Sequence, residues 1–320
     1  MGWAPPEEPR TSVIRLRDGR RLAFAEWGDP HGRPVIHHHG TPGSRLEHEA
    51  APDEYRAAGV RVITPDRPGY GLSDPLPGRT LLDWPADVAE LADALGLERF
   101  GVTSLSGGGV SALACAVRIP ERLTGVVLTG CPGPMDRPGA LRDMRLLNRA
   151  GMLLARRTPA LLNAGCRLLG GAVRRHPGFF YERSSRDKPA PDRRWLSLPE
   201  VRRAEVATIA EALRPGVAGY VQDVLLLAHA WGFAPGEIAV PVQLWHGDVD
   251  TVVPLHHAQH LASAIPRASL RVCAGEGHMV MWSHLTEVLT AAAGGTRQRA
   301  IHVPSPVEVP SRGREASRQA

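Results

Sequence analysis

The chain of 320 residues is long enough for two domains, or for one large α/β domain with an insertion. Its residues are 43% apolar and 22% charged, which is ordinary for a globular protein and excludes a disordered chain. No apolar core of a secretory signal and no apolar run of about eighteen residues occurs, so we expect a cytoplasmic protein without a membrane span. Four widely spaced cysteines favour reduced thiols over a disulfide or zinc framework: Cys115, Cys131, Cys166 and Cys273.

Short apolar runs alternate with helical patterns along most of the chain, which predicts βαβ units and a mostly parallel, doubly wound sheet. The first two strands form a hairpin that turns at Asp18-Gly19. The strands predicted in this first part span residues 13–17, 21–28, 34–39, 60–65, 99–104 and 123–130. The predicted helices span residues 45–58, 84–95 (with Asp83 as N-cap) and 110–119.

The alternation stops near Cys131, and helical patterns of leucine and arginine continue to about Ala239. Strands are predicted again at residues 241–247 and 269–274, with helices at 254–265 and after His278. We therefore expect an α/β core of residues 12–131 and 240–293, interrupted by a helical lid at 132–239. Residues 1–11 and 294–320 are predicted to be disordered, the latter because the segment is rich in Pro, Ser and Arg.

A serine motif lies between the strand at 99–104 and the helix at 110–119. A nucleophile elbow needs small residues two positions before and two after its serine, because the chain turns sharply there. Ser106 has Ser104 and Gly108 in these positions, although a glycine is usual in the first. Ser104 is a poorer candidate nucleophile, since Val102 and Ser106 flank it. The segment therefore predicts an elbow centred on Ser106.

Two other interpretations remain open on this segment alone. A serine before a helix can act as an ordinary N-cap. The pattern Gly107-x-Gly109-x-x-Ala112 after a strand is also compatible with a dinucleotide-binding loop. The rest of the chain has to decide between them.

Two later loops supply the acid and the base that a serine nucleophile needs. In elbow enzymes these residues follow the serine in the order acid, then histidine. Asp250 and His278 follow successive predicted strands, at the sheet edge where open α/β sheets place their sites. Asp248 is a competing acid, which we expect to be a turn or cap residue instead. Four other histidines fall on predicted helices and are expected at the surface or in packing: His256, His257, His260 and His284.

An oxyanion hole requires backbone N–H groups that point at the developing negative charge. We expect one from Gly107, at the start of a helix, and one from Thr41, in the loop after an early strand. The run from His37 to His39 suggests a metal site, but successive strand residues point to opposite faces and cannot converge on one ion. We therefore expect neither a metal nor another cofactor.

The ordered segments HGTPGSR, DRPGYGLSDP, SLSGGG, GDVDTVVP and GEGH resemble the α/β-hydrolase superfamily, in its lid-bearing, esterase-like branch. The resemblance spans roughly residues 13–293. It implies Ser106, Asp250 and His278 as the triad, Thr41 and Gly107 as oxyanion donors, and a place near the site mouth for the loop at residues 66–75. Members with an aspartate nucleophile are disfavoured by Ser106, and a proline iminopeptidase by the lack of a GGSWGS-type elbow.

The sequence thus predicts a serine hydrolase that acts on an ester, thioester or similar small acyl substrate without a cofactor. Carbon–carbon bond hydrolysis, acyl transfer and perhydrolysis would use the same residues. A protein of this fold that binds a small ligand without turnover is a rival from another class. Nucleic-acid binding is not expected, because few aromatic residues accompany the arginines.

The predicted lid is strongly basic. Residues 137–203 contain sixteen basic and five acidic residues, although the whole chain carries only +5. Arg142, Arg145, Arg149 and Arg156 are spaced to share one face of a helix, with Leu146, Leu147, Leu153 and Leu154 on the other side over the pocket. Either this face is simply solvated, or it attracts an anionic substrate, a carrier-bound acyl group or an acidic membrane surface.

Overall fold

The computed structural model describes residues 10–48 and 52–294. Its eight strands are β1 (Arg10–Arg15), β2 (Arg21–Gly28), β3 (Arg33–His38), β4 (Val60–Pro65), β5 (Phe100–Leu105), β6 (Leu123–Thr129), β7 (Val242–Gly247) and β8 (Ala268–Cys273). They form one sheet in the order β1-β2-β4-β3-β5-β6-β7-β8. The pairs β1/β2 and β2/β4 are antiparallel and all others are parallel, which confirms the predicted mostly parallel sheet.

The helices are α1 (Pro52–Ala58), α2 (Trp84–Ala94), α3 (Gly108–Arg118), α4 (Leu146–Arg157), α5 (Pro159–Arg175), α6 (Pro177–Arg186), α7 (Ala190–Leu196), α8 (Pro199–Ala212), α9 (Ala218–Ala228), α10 (His256–Ala264), α11 (Val280–Ser283) and α12 (Leu285–Ala292). α2, α3 and α10 cover one face of the sheet, and α1, α11 and α12 cover the other. All six residues of β5 are buried, as expected for a central parallel strand with helices on both faces.

The ends of the sheet and two predicted helix starts differ from expectation. β1 begins at Arg10, so Arg10 and Thr11 pair with β2 instead of belonging to a disordered terminus. Residues 1–9 and 295–320, where the remaining predicted disorder falls, lie outside the described residues, and Gly294 ends the described chain in a turn.

The backbone N–H of Arg45 donates to Asp66 Oδ1 at 2.7 Å, and residues 45–48 form a turn. The helix predicted from residue 45 therefore begins only at Pro52.

Asp83 precedes α2 as predicted, but its side chain does not cap that helix. Its carboxylate accepts hydrogen bonds from the backbone N–H and the hydroxyl of Thr80, at 2.6 and 2.8 Å. These bonds close a short 3-10 turn at Leu81–Asp83, so the acid stabilises the turn that leads into α2.

Helices α4–α9 lie between β6 and β7, and we refer to them as the helical insertion. The predicted arginine face is not formed, because α4 begins at Leu146 and leaves Arg142 and Arg145 outside the helix. Asp143 adopts a φ of 60°, and the backbone N–H of Arg145 donates to Thr251 in the core, so the helix cannot extend backwards. Leu146 and Leu147 are exposed and do not cover a pocket.

Within the described parts of the chain, none of the helices combines the length and the apolar content needed to cross a membrane.

Candidate active site

The turn between β5 and α3 presents Ser106. Its φ is 53°, a left-handed conformation that is strained for a residue with a side chain. The backbone N–H of Ser106 donates to the carbonyl of Thr129 at 2.9 Å, and Gly109 N–H donates back to the Ser106 carbonyl at 2.9 Å. The sharp turn is thus fixed by the neighbouring strand and by the start of the helix. This is the geometry expected of a nucleophile elbow.

Asp250 and His278 lie in the loops after β7 and β8 and are hydrogen-bonded to each other. Asp250 Oδ2 is 2.7 Å from His278 Nδ1, while Asp250 Oδ1 accepts the backbone N–H groups of Val252 and Val253 at 2.8 and 2.9 Å. Burial opposes ionisation of Asp250, but the charge and hydrogen bond of His278 outweigh it and hold the pKa of Asp250 below its ordinary value. An ionised Asp250 accepts a hydrogen bond from a protonated Nδ1 of His278, which leaves His278 Nε2 as the basic nitrogen.

The serine turn and the acid–histidine pair meet at the end of β6. Ser106 is bonded to Thr129, and the next residue is Gly130, with a φ of 56°. A Cβ on Gly130 would lie 3.0 Å from His278 Cε1 and 3.7 Å from Asp250 Oδ2. A side chain here would press on the imidazole, so this position requires glycine. The three predicted residues therefore gather at one edge of the sheet.

Thr41 and Gly107, the predicted oxyanion donors, are neighbours. A Cβ on Gly107 would lie 2.6 Å from Thr41 Oγ1 and 3.2 Å from Leu227 Cδ1 of α9. A Cβ on Gly40 would lie 3.9 Å from the Cβ of Ser106, so the Gly40–Thr41 loop lies next to the serine. The helical insertion thus contacts the site directly through α9.

Glu47, which sequence reasoning missed, supports the loop that carries Thr41. This buried carboxyl group accepts the backbone N–H of Gly40 at 2.9 Å and lies 2.7 Å from His37 Nε2. Burial raises the pKa of Glu47 to about 8 and lowers the pKa of His37 to about 3, so both groups favour their neutral forms. A single acid in a polar stretch gives no sequence signal for this role.

Arg67 lies behind the same loop and connects it to the helical insertion. It donates to the carbonyls of His39 and Gly40 and to Thr41 Oγ1, the last at 3.0 Å. It also donates to Asp223 Oδ2 of α9 at 2.7 Å, and Arg79 pairs with the other carboxylate oxygen of Asp223.

Charge balance keeps this cluster ionised. Burial opposes ionisation of Asp223, but Arg67 and Arg79 outweigh it and hold the pKa of Asp223 below its usual range. The sequence signal for this cluster was Asp223 within the apolar run of α9, because a buried carboxylate needs charged or hydrogen-bonding partners. In the loop at residues 66–75, which was expected near the site mouth, Arg67 is buried against Gly40 and Thr41, and Asp66 is buried against Arg45 and Leu72.

Asp192 of α7 is a second acid of the insertion that holds part of the site. Its two carboxylate oxygens accept the backbone N–H groups of His278 and Met279, at 3.0 and 2.9 Å. The Asp192 side chain is buried and lies against the loop that carries His278. Burial raises the pKa of Glu205 of α8 to about 7, and the positive charge of Lys188 opposes this shift.

The remaining candidates take other roles. Asp248 accepts the backbone N–H of Gly275 at 2.7 Å, as expected of a turn residue. Ser104 is buried in β5. The three successive histidines have separate partners: His37 contacts Thr103 and Glu47, His38 accepts from the Trp84 indole, and His39 contacts Gly40 and Arg67.

Among the four histidines assigned to the surface or to packing, His257 is buried and His284 lies between α11 and α12. Among the described residues, one group could hold a metal ion, namely Cys273, Glu276 and His284, whose ligand atoms lie within 4.8 Å of one another. His284 and Glu276 are already hydrogen-bonded at 2.8 Å.

Comparison with known proteins identifies the family. Residues 33–285 match the family model of the alpha/beta hydrolase fold. A pimeloyl-[acyl-carrier protein] methyl ester esterase from Aromatoleum aromaticum is 30% identical over 241 residues, which are 72% of this chain and 85% of that protein. The chain belongs to the alpha/beta hydrolase fold family, whose members include many hydrolases.

The similar proteins differ in their reactions. A 2-hydroxy-6-oxo-6-phenylhexa-2,4-dienoate hydrolase from Burkholderia cepacia is 29% identical over 264 residues, 78% of this chain and 82% of that protein. A proline iminopeptidase from Xylella fastidiosa is 37% identical over 125 residues. The matched segment is 37% of this chain and spans only 38% of that protein. A thermophilic esterase structure from Thermogutta terrifontis, with malate bound, has a TM-score of 0.61 at 26% identity, covering 87% of this chain and 96% of that one.

Proposed function

We propose that the chain is a serine hydrolase that cleaves an ester, thioester or related acyl compound through an acyl-enzyme. The observation that carries the proposal is the combination of Ser106 at a left-handed turn with the 2.7 Å hydrogen bond between Asp250 and His278. A serine hydroxyl is a weak nucleophile at neutral pH and needs such an oriented base.

In the proposed reaction, Ser106 Oγ attacks the carbonyl carbon of the substrate while its proton passes to His278 Nε2. Asp250 stabilises the resulting imidazolium. The negative charge on the substrate oxygen is stabilised by the backbone N–H groups of Thr41 and Gly107. The tetrahedral intermediate then expels the alcohol or thiol, which takes the proton from His278.

Water completes the cycle. It attacks the acyl group on Ser106 and gives a proton to His278, and the acid leaves as Ser106 regains that proton. These steps need no cofactor. We assign the helical insertion as the lid over this chemistry, because Leu227 of α9 lies against Gly107.

Substitution of the proposed residues tests the function directly. In a screen of acyl esters and thioesters, Ser106→Ala, His278→Ala and Asp250→Asn should each lower kcat by about 10⁴-fold or more, with circular dichroism unchanged. Ser104→Ala is the matched control, because this serine is buried in β5, and it should keep substantial turnover. Acyl turnover that survives in Ser106→Ala would remove this serine as the nucleophile.

Carbon–carbon bond hydrolysis is a second candidate. It is favoured by the likeness to the Burkholderia cepacia hydrolase over 82% of that protein. The same screen should therefore include 2-hydroxy-6-oxo-6-phenylhexa-2,4-dienoate. Turnover of this compound but of no ester would replace the acyl-ester proposal.

A further inference from the structure

Three neighbouring helices of the insertion expose large apolar side chains. α4 packs on α5, and α5 packs on α6. Six of the nine exposed large apolar residues found in the described chain lie on these helices: Leu146, Leu147, Leu161, Leu168, Leu169 and Phe179. Leu146 and Leu168 are 82% and 81% exposed, so they project from the surface. We refer to this surface as the outer face of the insertion.

The sides of α5 are clearly divided. Leu162 and Gly170 are buried, and Leu162 packs with residues of α9. Leu161 and Leu168 are seven residues apart, two helical turns, so they share a face of α5, and both are exposed. The packing of α5 on α9 thus leaves these leucines exposed to solvent.

The outer face is also strongly basic. Residues 146–186 contain eight arginines and one acid, Glu182, a net charge of +7. Glu182 is already paired with Arg202 at 2.6 Å. Seven of these arginines are exposed on the same three helices as the leucines: Arg149, Arg157, Arg167, Arg174, Arg175, Arg183 and Arg186.

We infer that the outer face docks the protein on an anionic lipid surface, with the leucines in the boundary between headgroups and acyl chains and the arginines on the phosphates. Helices that combine leucine with arginine in this way bind at membrane interfaces. A second copy of the chain fits poorly, because its own outer face, with a net charge of +7, would repel the outer face of the first copy. An acidic protein could pair with the arginines, but it would need a groove shaped for the separate leucines. A lipid surface deforms around them.

Binding to vesicles tests the docking independently of the proposed function, since no turnover is measured. The probe is phosphatidylcholine vesicles with and without about 30 mol% phosphatidylserine, in co-sedimentation with wild type and Ser106→Ala. Both proteins should bind the anionic vesicles, less so at high salt because charge is screened. Arg167→Gln/Arg174→Gln/Arg175→Gln should weaken partitioning by about a hundredfold, at roughly fivefold per arginine. Leu161→Ser/Leu168→Ser should weaken it by at least about tenfold.

The controls are Val13→Ser and Arg118→Gln, an exposed apolar residue and an exposed arginine of the core, which should bind like wild type. All outer-face variants should keep the wild-type melting temperature, because the substituted side chains are exposed. The inference is overturned if wild type ignores anionic vesicles or binds neutral ones equally well. It is also overturned if Leu168→Ser abolishes a dimer in solution, or if wild type binds an acidic protein column but no vesicles.

Discussion

Glu47 is a single buried carboxyl group whose charge state affects the stability of the whole domain. Its pKa is raised from 4.5 to about 8 by burial, so the folded protein holds a proton that the unfolded chain releases above about pH 4.5. The stabilisation from this group is therefore complete below pH 4.5 and is lost as the pH rises to about 8.

Glu47→Gln tests this assignment, because glutamine resembles the neutral acid and cannot ionise. From pH 5 to 8 the free energy of unfolding of wild type should fall relative to the variant, by up to about 1.4 kcal/mol per pH unit, and the difference should level off above pH 8. Urea unfolding at several pH values measures it. Glu26→Gln, at a carboxylate paired with Arg61, is a comparison outside the site. A difference that does not change with pH would show that Glu47 is ionised throughout.

Sequence alone could predict that Ser106, Asp250 and His278 lie close to strand ends, because they follow the ends of β5, β7 and β8 by one, three and five residues. It could not predict Glu47, Asp192 or Asp223. Asp192 binds a backbone 86 residues later, and Asp223 binds Arg67 across 156 residues. Only the packed fold brings such partners together.

At the scale of elements, acids attach the insertion to the core. Asp192 of α7 holds the His278 loop, Glu211 of α8 pairs with Arg45 at 2.7 Å, and Asp223 of α9 pairs with Arg67. The sequence analysis singled out the arginines of the insertion, and many of these are exposed. The acids, fewer in number, form the contacts that reach the candidate site.

Asp192→Asn should therefore affect catalysis more than substrate binding. The amide has one acceptor oxygen, so one of the two N–H groups of His278 and Met279 loses its partner. We expect kcat for an acyl ester to fall by about ten- to a hundredfold with little change in KM, because small displacements of a catalytic group are costly. Steady-state kinetics and the pH profile of kcat measure this effect.

Asp187→Asn is the matched control, at an exposed acid of the same insertion that lies 3.6 Å from Arg145. It should behave like wild type. If Asp192→Asn keeps the wild-type kcat and pH profile, the loop of His278 does not depend on α7. Asp192→Glu should restore part of the lost rate, since it retains two acceptor oxygens.

Strand positions were predictable to within about three residues, because short apolar runs in a buried parallel sheet leave little choice of register. The helices of the insertion were less predictable. α6 and α7 were not foreseen, since both are short and begin next to a proline. The start of α4 depends on the contact between Arg145 and Thr251, which no local pattern reveals.

At the scale of the whole molecule, the sheet gathers Ser106, Asp250 and His278 at one edge, and the insertion between β6 and β7 contacts this edge through Asp192 of α7 and Leu227 of α9. The same insertion presents its basic, apolar outer face to solvent. The contacts with the candidate site come from α7 and α9, whereas the proposed docking face lies on α4, α5 and α6. Variants of the outer face should consequently leave the hydrolysis of a water-soluble ester unchanged.

Reaction with a fluorophosphonate probe tests the central claim most directly, because only an activated serine attacks such a phosphorus centre. Mass spectrometry of the digested protein should place a single adduct on Ser106. Labelling should be lost in Ser106→Ala, be strongly reduced in His278→Ala, and persist in Ser104→Ala. An unlabelled wild type, or an adduct on another serine that persists in Ser106→Ala, would contradict the assignment of Ser106 as the nucleophile.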